Sequence, residues 1–237
     1  MAFFFSPSYG PDGALNRPKR AAKSVGIIVH ARHIPYVDVS SVIMADRCIK
    51  LDLCIGKLHY RFISCHLDPY GDMEVLDQQY KHLNKLFSDV SMDDRVVIGM
   101  DSQRTLSHRK LGESPALIGP LLLQAELNHR SSLRRDMLSN FSHRNDLAFA
   151  NTLGDSSELF GLHTWDGYRK VNVIPRQIDY ILIDEGSVLC SDSWILDSAA
   201  TSSDHRPVVL KLRGKVRRTW TPGAKGPVAG RLGKRFV

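Results

Sequence analysis

Short apolar runs recur at residues 25–30, 51–55, 60–66, 95–100, 146–151, 178–183 and 207–212, many of them rich in Val and Ile. Runs of that length and β-branched content predict strands. Between them the period changes. Leu76, Tyr80, Leu83 and Phe87 recur at helical spacing, as do Leu133, Met137 and Phe141, and each set predicts an amphipathic helix. A strand-rich pattern with few helices predicts an α/β domain in which sheets pack on each other and carry helices outside. The pattern also marks the limits of the domain. Residues 1–24, rich in Pro, Gly and Ser with no hydrophobic period, read as a flexible leader, and 25–212 as the folded domain. Residues 213–237, with Pro222, Gly223, Gly226, Pro227, Gly230 and Gly233, read as a basic linker-like tail. Residues 155–158 and 166–176 read as loops.

Composition changes this picture in one respect. The 237 residues carry a formal charge of +7, which points to a nucleic-acid partner until the charge is located. Residues 213–237 hold eight of the 32 Lys and Arg and no acid, leaving 24 basic against 25 acidic side chains in the rest of the chain. The body is therefore near neutral, and the excess lies in the tail and around Arg17, Lys19, Arg20 and Lys23, a cluster that can serve as a nuclear address. A neutral body can still present a basic groove. The four cysteines lack the spacing of a zinc site and read as reduced thiols of an intracellular protein. Phe3-Phe4-Phe5 is too short for a signal-peptide core, and no apolar run is long enough to span a membrane.

Candidate chemistry concentrates near the C-terminal end. Ser203-Asp204-His205-Arg206-Pro207, just before the last strand, pairs a carboxylate with an imidazole, which together can bind a metal and move a proton. Upstream, Asp179 is the lone charge in Gln177-Ile178-Asp179-Tyr180-Ile181-Leu182-Ile183, and a buried carboxylate needs a partner. His205 is the natural one. A carboxylate on one imidazole nitrogen fixes the tautomer and leaves the other nitrogen free to act as a base. Further candidates stand where strands end: Asp101 after Arg95–Met100, His66 in Ile63-Ser64-Cys65-His66-Leu67-Asp68, and Trp165 in Gly161-Leu162-His163-Thr164-Trp165. Strand ends are where α/β proteins commonly place active residues. His30 and His33 read as surface.

The order of these motifs resembles the endonuclease/exonuclease/phosphatase superfamily, the DNase I-like fold, across residues 25–212. The stretch 203–207 looks like its Ser-Asp-His-x-Pro signature, 177–182 like its Arg-Ile-Asp-Tyr-Ile-Leu strand, Thr164-Trp165 like the Thr-Trp before it, and Cys65-His66-Leu67 like the histidine-bearing strand. Leu138-x-x-Phe141, followed by Leu147-x-x-Ala150-Asn151-Thr152, is similar to the apurinic-type endonuclease domains of non-LTR retrotransposons. The resemblance implies a four-layer α/β sandwich of two packed mixed sheets with flanking helices. It also implies hydrolysis of a phosphodiester assisted by Mg²⁺ or Mn²⁺, with DNA or another nucleic acid as partner and a lost or separate reverse transcriptase domain. On this resemblance His205 is the general base, Asp179 its orienting partner, Asp204 the metal ligand, and His66 a donor to the phosphate or leaving oxygen. Asp101 helps position the nucleophile, with Gln103 beside it, and Trp165 lines the substrate groove.

The pattern departs from the superfamily at two places. Members carry an Asn and then a metal-binding Glu on strands before the one at 25–30, whereas here no Glu precedes Glu74, so the first strands are expected to be missing. Gln103 stands where the superfamily's Gly-Asp-x-Asn motif has Asn. Three functions therefore stay open: a metal-dependent DNA endonuclease of retroelement origin, a catalytically impaired or nucleic-acid-binding remnant, and a lipid or inositol phosphate hydrolase on the same fold.

Overall fold

The computed structural model describes residues 1–5, 25–45, 47–68, 72–87, 90–91, 94–123, 129–153, 162–166, 175–196 and 203–212. In chain order these residues form β1 (Ala2–Phe5), β2 (Gly26–Val29), β3 (Val37–Ala45), β4 (Cys48–Ile55), β5 (Leu58–His66), α1 (Met73–Lys85) and β6 (Arg95–Asp101). There follow α2 (His129–Arg144), β7 (Leu147–Phe149), β8 (Asp179–Asp184), β9 (Ser191–Ile195) and β10 (Val208–Leu212). A mixed six-stranded sheet in the order β3-β4-β5-β6-β8-β7 forms the centre, and β1-β2 and β9-β10 form two-stranded pieces. The expected α/β sandwich is present.

Alternation along the central strands decides what each face meets. Ile63 and Cys65 of β5, Val96, Ile98 and Met100 of β6, and Tyr180 and Leu182 of β8 join one core with Leu76, Tyr80 and Leu83 of α1 and Leu138 and Phe141 of α2. The helices cover this face. The other face carries Ser64, His66, Gly99, Asp101, Asp179 and Ile181, and β10 packs against β8 while β2 packs against β4. Helix α1 starts where Asp72 caps it, its side chain accepting from Val75 N at 2.9 Å. Its apolar stripe faces the sheet, as the spacing of Leu76, Tyr80 and Leu83 requires. Helix α2 also buries Arg135, which binds both carboxylate oxygens of Glu113 and the carbonyls of Leu106 and His108, so a fully buried cation is completely partnered.

Three strands were not expected from the hydrophobic pattern. β1 comes from the segment read as a leader: Ala2–Phe5 pairs antiparallel with β2, consistent with the strand preference of an aromatic run. β3 is an edge strand whose register shifts between Asp38 and Ile43, so it lacks clean alternation. β9, largely polar, is a strand because β10 pairs with it from Ser191 to Ile195. The run at 146–151 yields only a short β7, because a 3₁₀ turn at Ala150–Thr152 ends it. Thr152 Oγ1 donates to Phe149 O at 2.8 Å there. Gly119 packs so closely on that turn that a Cβ would lie 2.1 Å from Thr152 O. The basic tail and the 155–158 loop lie outside the described residues. Among the described residues no helix is long and apolar enough to cross a membrane.

Candidate active site

Strand register brings three of the sequence candidates into one row. β5 and β6 run parallel with His66 paired to Asp101, and β6 and β8 run antiparallel with Asp101 paired to Asp179. The three side chains therefore share the face opposite the helices. One step back along the strands lie Ser64, Gly99 and Ile181, and a Cβ built on Gly99 would meet nothing within 4 Å. The floor of the cleft is open at that glycine, which is the positional meaning of a Gly inside a central strand.

His205 reaches the row from the segment before β10. Its Nδ1 lies 3.0 Å and 3.2 Å from the two oxygens of Asp179. The hydrogen bond to Asp179 raises the pKa of His205 against the opposing effect of burial. The segment is tied down on its far side. Asp166 N donates to Asp204 O at 2.9 Å and Arg206 N to Thr164 O at 2.7 Å, while Trp165 Nε1 donates to Asp204 Oδ2 at 2.8 Å. Thr164 Oγ1 in turn accepts from the backbone N–H groups of Ile178 and Asp179 at 3.0 Å and 2.9 Å. One fully buried threonine thus links the start of β8 to the strip beside His205.

Asp101 is held from below. Burial first, and the neighbouring Asp179 carboxylate second, push its pKa up to about 6. Gln103 opposes this with two donors: its backbone N–H bonds Oδ1 at 3.1 Å and its side-chain amide bonds Oδ2 at 2.7 Å. That geometry needs the left-handed backbone of Gln103, φ 56°, an uncommon state for a non-glycine residue that clusters at functional sites. The same amide nitrogen lies 3.2 Å from His66 Nε2. An amide nitrogen can only donate, so Nε2 accepts and His66 is neutral, in keeping with its pKa being lowered by burial and then by Arg47.

These residues surround a cleft of about 1190 Å³ that also takes in Arg47, Asp68, Trp165, Arg176, Asp204 and Arg206. Donor atoms of Asp101, Asp179 and His205 lie within 4.8 Å of one another. Two carboxylates that repel each other, one of them bonded to an imidazole, fit a hard divalent cation, which would relieve the repulsion that adds to burial in raising Asp101. Asp204 is on the cleft wall but outside this group, with one oxygen bound by the Trp165 indole.

Known structures share this architecture. The endonuclease domain of TRAS1, a telomere-specific non-LTR retrotransposon, superposes with a TM-score of 0.56 at 14% identity, over 90% of this chain and 81% of that one. The chain has the endonuclease/exonuclease/phosphatase fold. A 3'-5' exonuclease from Neisseria meningitidis shares it at TM-score 0.51 and 18% identity, over 76% of this chain and 68% of that one. So does a mannosyl-6-phosphatase from Bacteroides thetaiotaomicron, at 0.51 and 12%, over 89% and 76%. No family model matches the sequence, and no curated protein matches it by sequence. Three such different activities on one fold leave the substrate to be argued from the site.

All seven candidate residues read from the sequence fall at this cleft. Trp165 turns its N–H to Asp204, and the Arg176 guanidinium stands 5.8 Å above its ring. The sequence reading quoted Asn151 within a motif but gave it no role; it brackets the start of β8 by donating to Asp179 O at 3.2 Å and accepting from Ile181 N at 3.1 Å. It missed Arg47, bonded to Asp68 Oδ2 at 3.0 Å. Arg47 stands in a tight turn between strands, where no periodic pattern marks it.

Proposed function

We propose that this chain hydrolyses phosphodiesters of nucleic acid with the help of a divalent cation, Mg²⁺ or Mn²⁺, as an endonuclease of retroelement origin. The observation that carries this reading is the His66-Asp101-Asp179 row with His205 bonded to its last member, set over an open glycine floor. Asp179 accepts from His205 Nδ1, which leaves Nε2 with a lone pair aimed away from the carboxylate. That nitrogen takes a proton from the attacking water. The imidazolium formed in this step stays beside Asp179, which stabilises it. Neutral His66 keeps Nδ1–H to donate to a phosphoryl or leaving oxygen, and the Gln103 amide fixes which nitrogen carries that proton. Asp101 and Asp179 would hold the cation, which when bound supplies charge that stabilises the phosphoryl oxygens.

Nucleic acid is favoured as substrate by the likeness to the retrotransposon endonuclease domain, which spans most of both chains. A second reading, an impaired remnant that binds without turning over, is favoured by one observation: no glutamate lines the cleft among the described residues. Incubating supercoiled plasmid with the purified chain and Mg²⁺ decides between them. Nicking that stops with EDTA supports the enzyme, and retention of plasmid without nicking supports the remnant.

A further inference from the structure

Backbone bridges set three cleft residues side by side. Trp165 N donates to Arg176 O and Arg176 N to Trp165 O, both at 2.9 Å, so the two residues stand directly opposite each other in antiparallel backbone. On its other side Trp165 is opposite His205, between the bonds from Asp166 N to Asp204 O at 2.9 Å and from Arg206 N to Thr164 O at 2.7 Å. Directly opposed residues send their side chains to the same face, and all three line the cleft. A hydrogen-bonded pair spans about 5.5 Å between Cα atoms and a non-bonded pair about 4.5 Å, which puts the backbone of Arg176 about 10 Å from that of His205, with Trp165 between them. Arg176 is exposed. Its guanidinium stands 5.8 Å from the centre of the Trp165 ring, within the range of a cation–π attraction. Among the described residues it makes no side-chain hydrogen bond or ion pair, so the ring steadies the group and its N–H donors remain for a ligand.

We infer that Arg176, steadied on the Trp165 ring, holds a phosphate that neighbours the reacting one on a nucleic-acid strand. His205 marks the place of the reacting phosphate on the hydrolytic reading, and the contact of Arg176 rests on that reading for nothing else. The Trp165 rung separates the two side chains, so a phosphomonoester seated at His205 ends short of Arg176, whereas a strand that continues past Trp165 meets it. A guanidinium presents paired N–H groups in a fork that fits phosphate oxygens. Arg176 thereby adds affinity for a chain of phosphates over a single one.

The test is binding of a labelled DNA duplex by the whole chain in EDTA, where hydrolysis plays no part, read as affinity against salt concentration. One lost phosphate contact lowers the steepness of log affinity against log salt by about 0.9 on duplex DNA. Arg176→Gln, at an exposed position that folding tolerates, is expected to lower it by about that amount and to weaken binding about tenfold, the worth of one hydrogen-bonded contact to a charged group. Arg176→Lys keeps the charge and with it the steepness, but loses the fork and part of the affinity. Lys81→Ala, at an exposed helix position paired with Asp77, is the control and leaves binding as it was. An unchanged steepness in Arg176→Gln overturns the contact, as does an equal loss in Lys81→Ala. Arg176-dependent binding of inositol hexakisphosphate as tight as that of the duplex overturns nucleic acid as the ligand. A lowered steepness in a chain that never nicks DNA keeps the Arg176 contact and rejects the hydrolytic reading, and an unchanged one in a chain that nicks does the reverse.

Discussion

Gln103 donates to Asp101 twice, through its backbone N–H to Oδ1 at 3.1 Å and its side-chain amide to Oδ2 at 2.7 Å. The superfamily pattern has the shorter Asn at this place, and an extra methylene would be expected to push the amide out of reach. The left-handed backbone at Gln103 folds the longer side chain back, so the amide meets both Asp101 and His66. Gln103→Asn is accordingly expected to leave the cleavage rate within about fivefold, since Asn also tolerates this backbone. A rise near 10²-fold, the scale of relief from a displacement of about 1 Å, would show that Gln103 is misplaced. Steady-state nicking kinetics on the two proteins measure this.

Asp101 makes the stability of the metal-free protein depend on pH. Its folded pKa is raised from 3.8 to about 6, so its contribution is fully present below the unfolded value and is lost as pH rises through 6. Asp101→Asn removes that loss. Urea denaturation in EDTA is expected to show the variant gaining on wild type from pH 4 to pH 7 by about 2 kcal/mol, at roughly 1.4 kcal/mol per pKa unit. Added Mg²⁺ is expected to shrink the gain. A difference that stays constant with pH contradicts the raised pKa.

With one oxygen accepting from the Trp165 indole N–H at 2.8 Å, Asp204 is expected to help orient His205, and Mn²⁺ binding tests the metal-ligand role that the sequence resemblance implies for it. Asp204→Asn keeps an oxygen for the indole N–H and is expected to leave Mn²⁺ affinity, read by electron paramagnetic resonance, within about twofold. Trp165→Phe deletes the donor to a partly buried carboxylate and is expected to cost about 1–3 kcal/mol of stability and to lower kcat. Loss of Mn²⁺ binding in Asp204→Asn would make it a ligand.

Gly119→Ala tests the packing that ends β7. The added Cβ would lie 2.1 Å from Thr152 O and 2.8 Å from Leu153 Cα, both backbone atoms with little room to yield. The expected loss is about 3 kcal/mol, the upper part of the overpacking range, measured by thermal or urea unfolding. An unchanged midpoint would mean that the turn shifts freely.

The sequence made the site more legible than the sheet edges. Asp101, Asp179 and His66 were readable because each interrupts or ends an apolar run, and a lone charge there requires a partner. Their alignment was not readable, since it depends on β5 and β6 pairing in parallel across α1, a non-local register. Helix α1 was legible because Leu76, Tyr80 and Leu83 hold one period on one face, whereas α2 forms where the spacing of Leu133, Met137 and Phe141 placed a helix but turns Leu133 to solvent and buries Arg134, Arg135, Leu138 and Phe141 instead. β3 was hidden by its edge position, where Asp38, Ser40 and Val39 all face solvent and no alternation survives. Arg47 was hidden for another reason: an arginine in a turn carries no periodic signal, and only the fold brings it beside His66.

The central claim is that the bonded pair of Asp179 and His205 acts as the base of a phosphodiester hydrolase. Single-turnover cleavage of a labelled DNA duplex with saturating Mg²⁺ tests it, comparing wild type, His205→Ala and Asp179→Asn. General-base removal is expected to slow cleavage by about 10²–10⁴-fold in both variants, with duplex binding in EDTA unchanged for His205→Ala. Cleavage by His205→Ala at the wild-type rate would contradict the account.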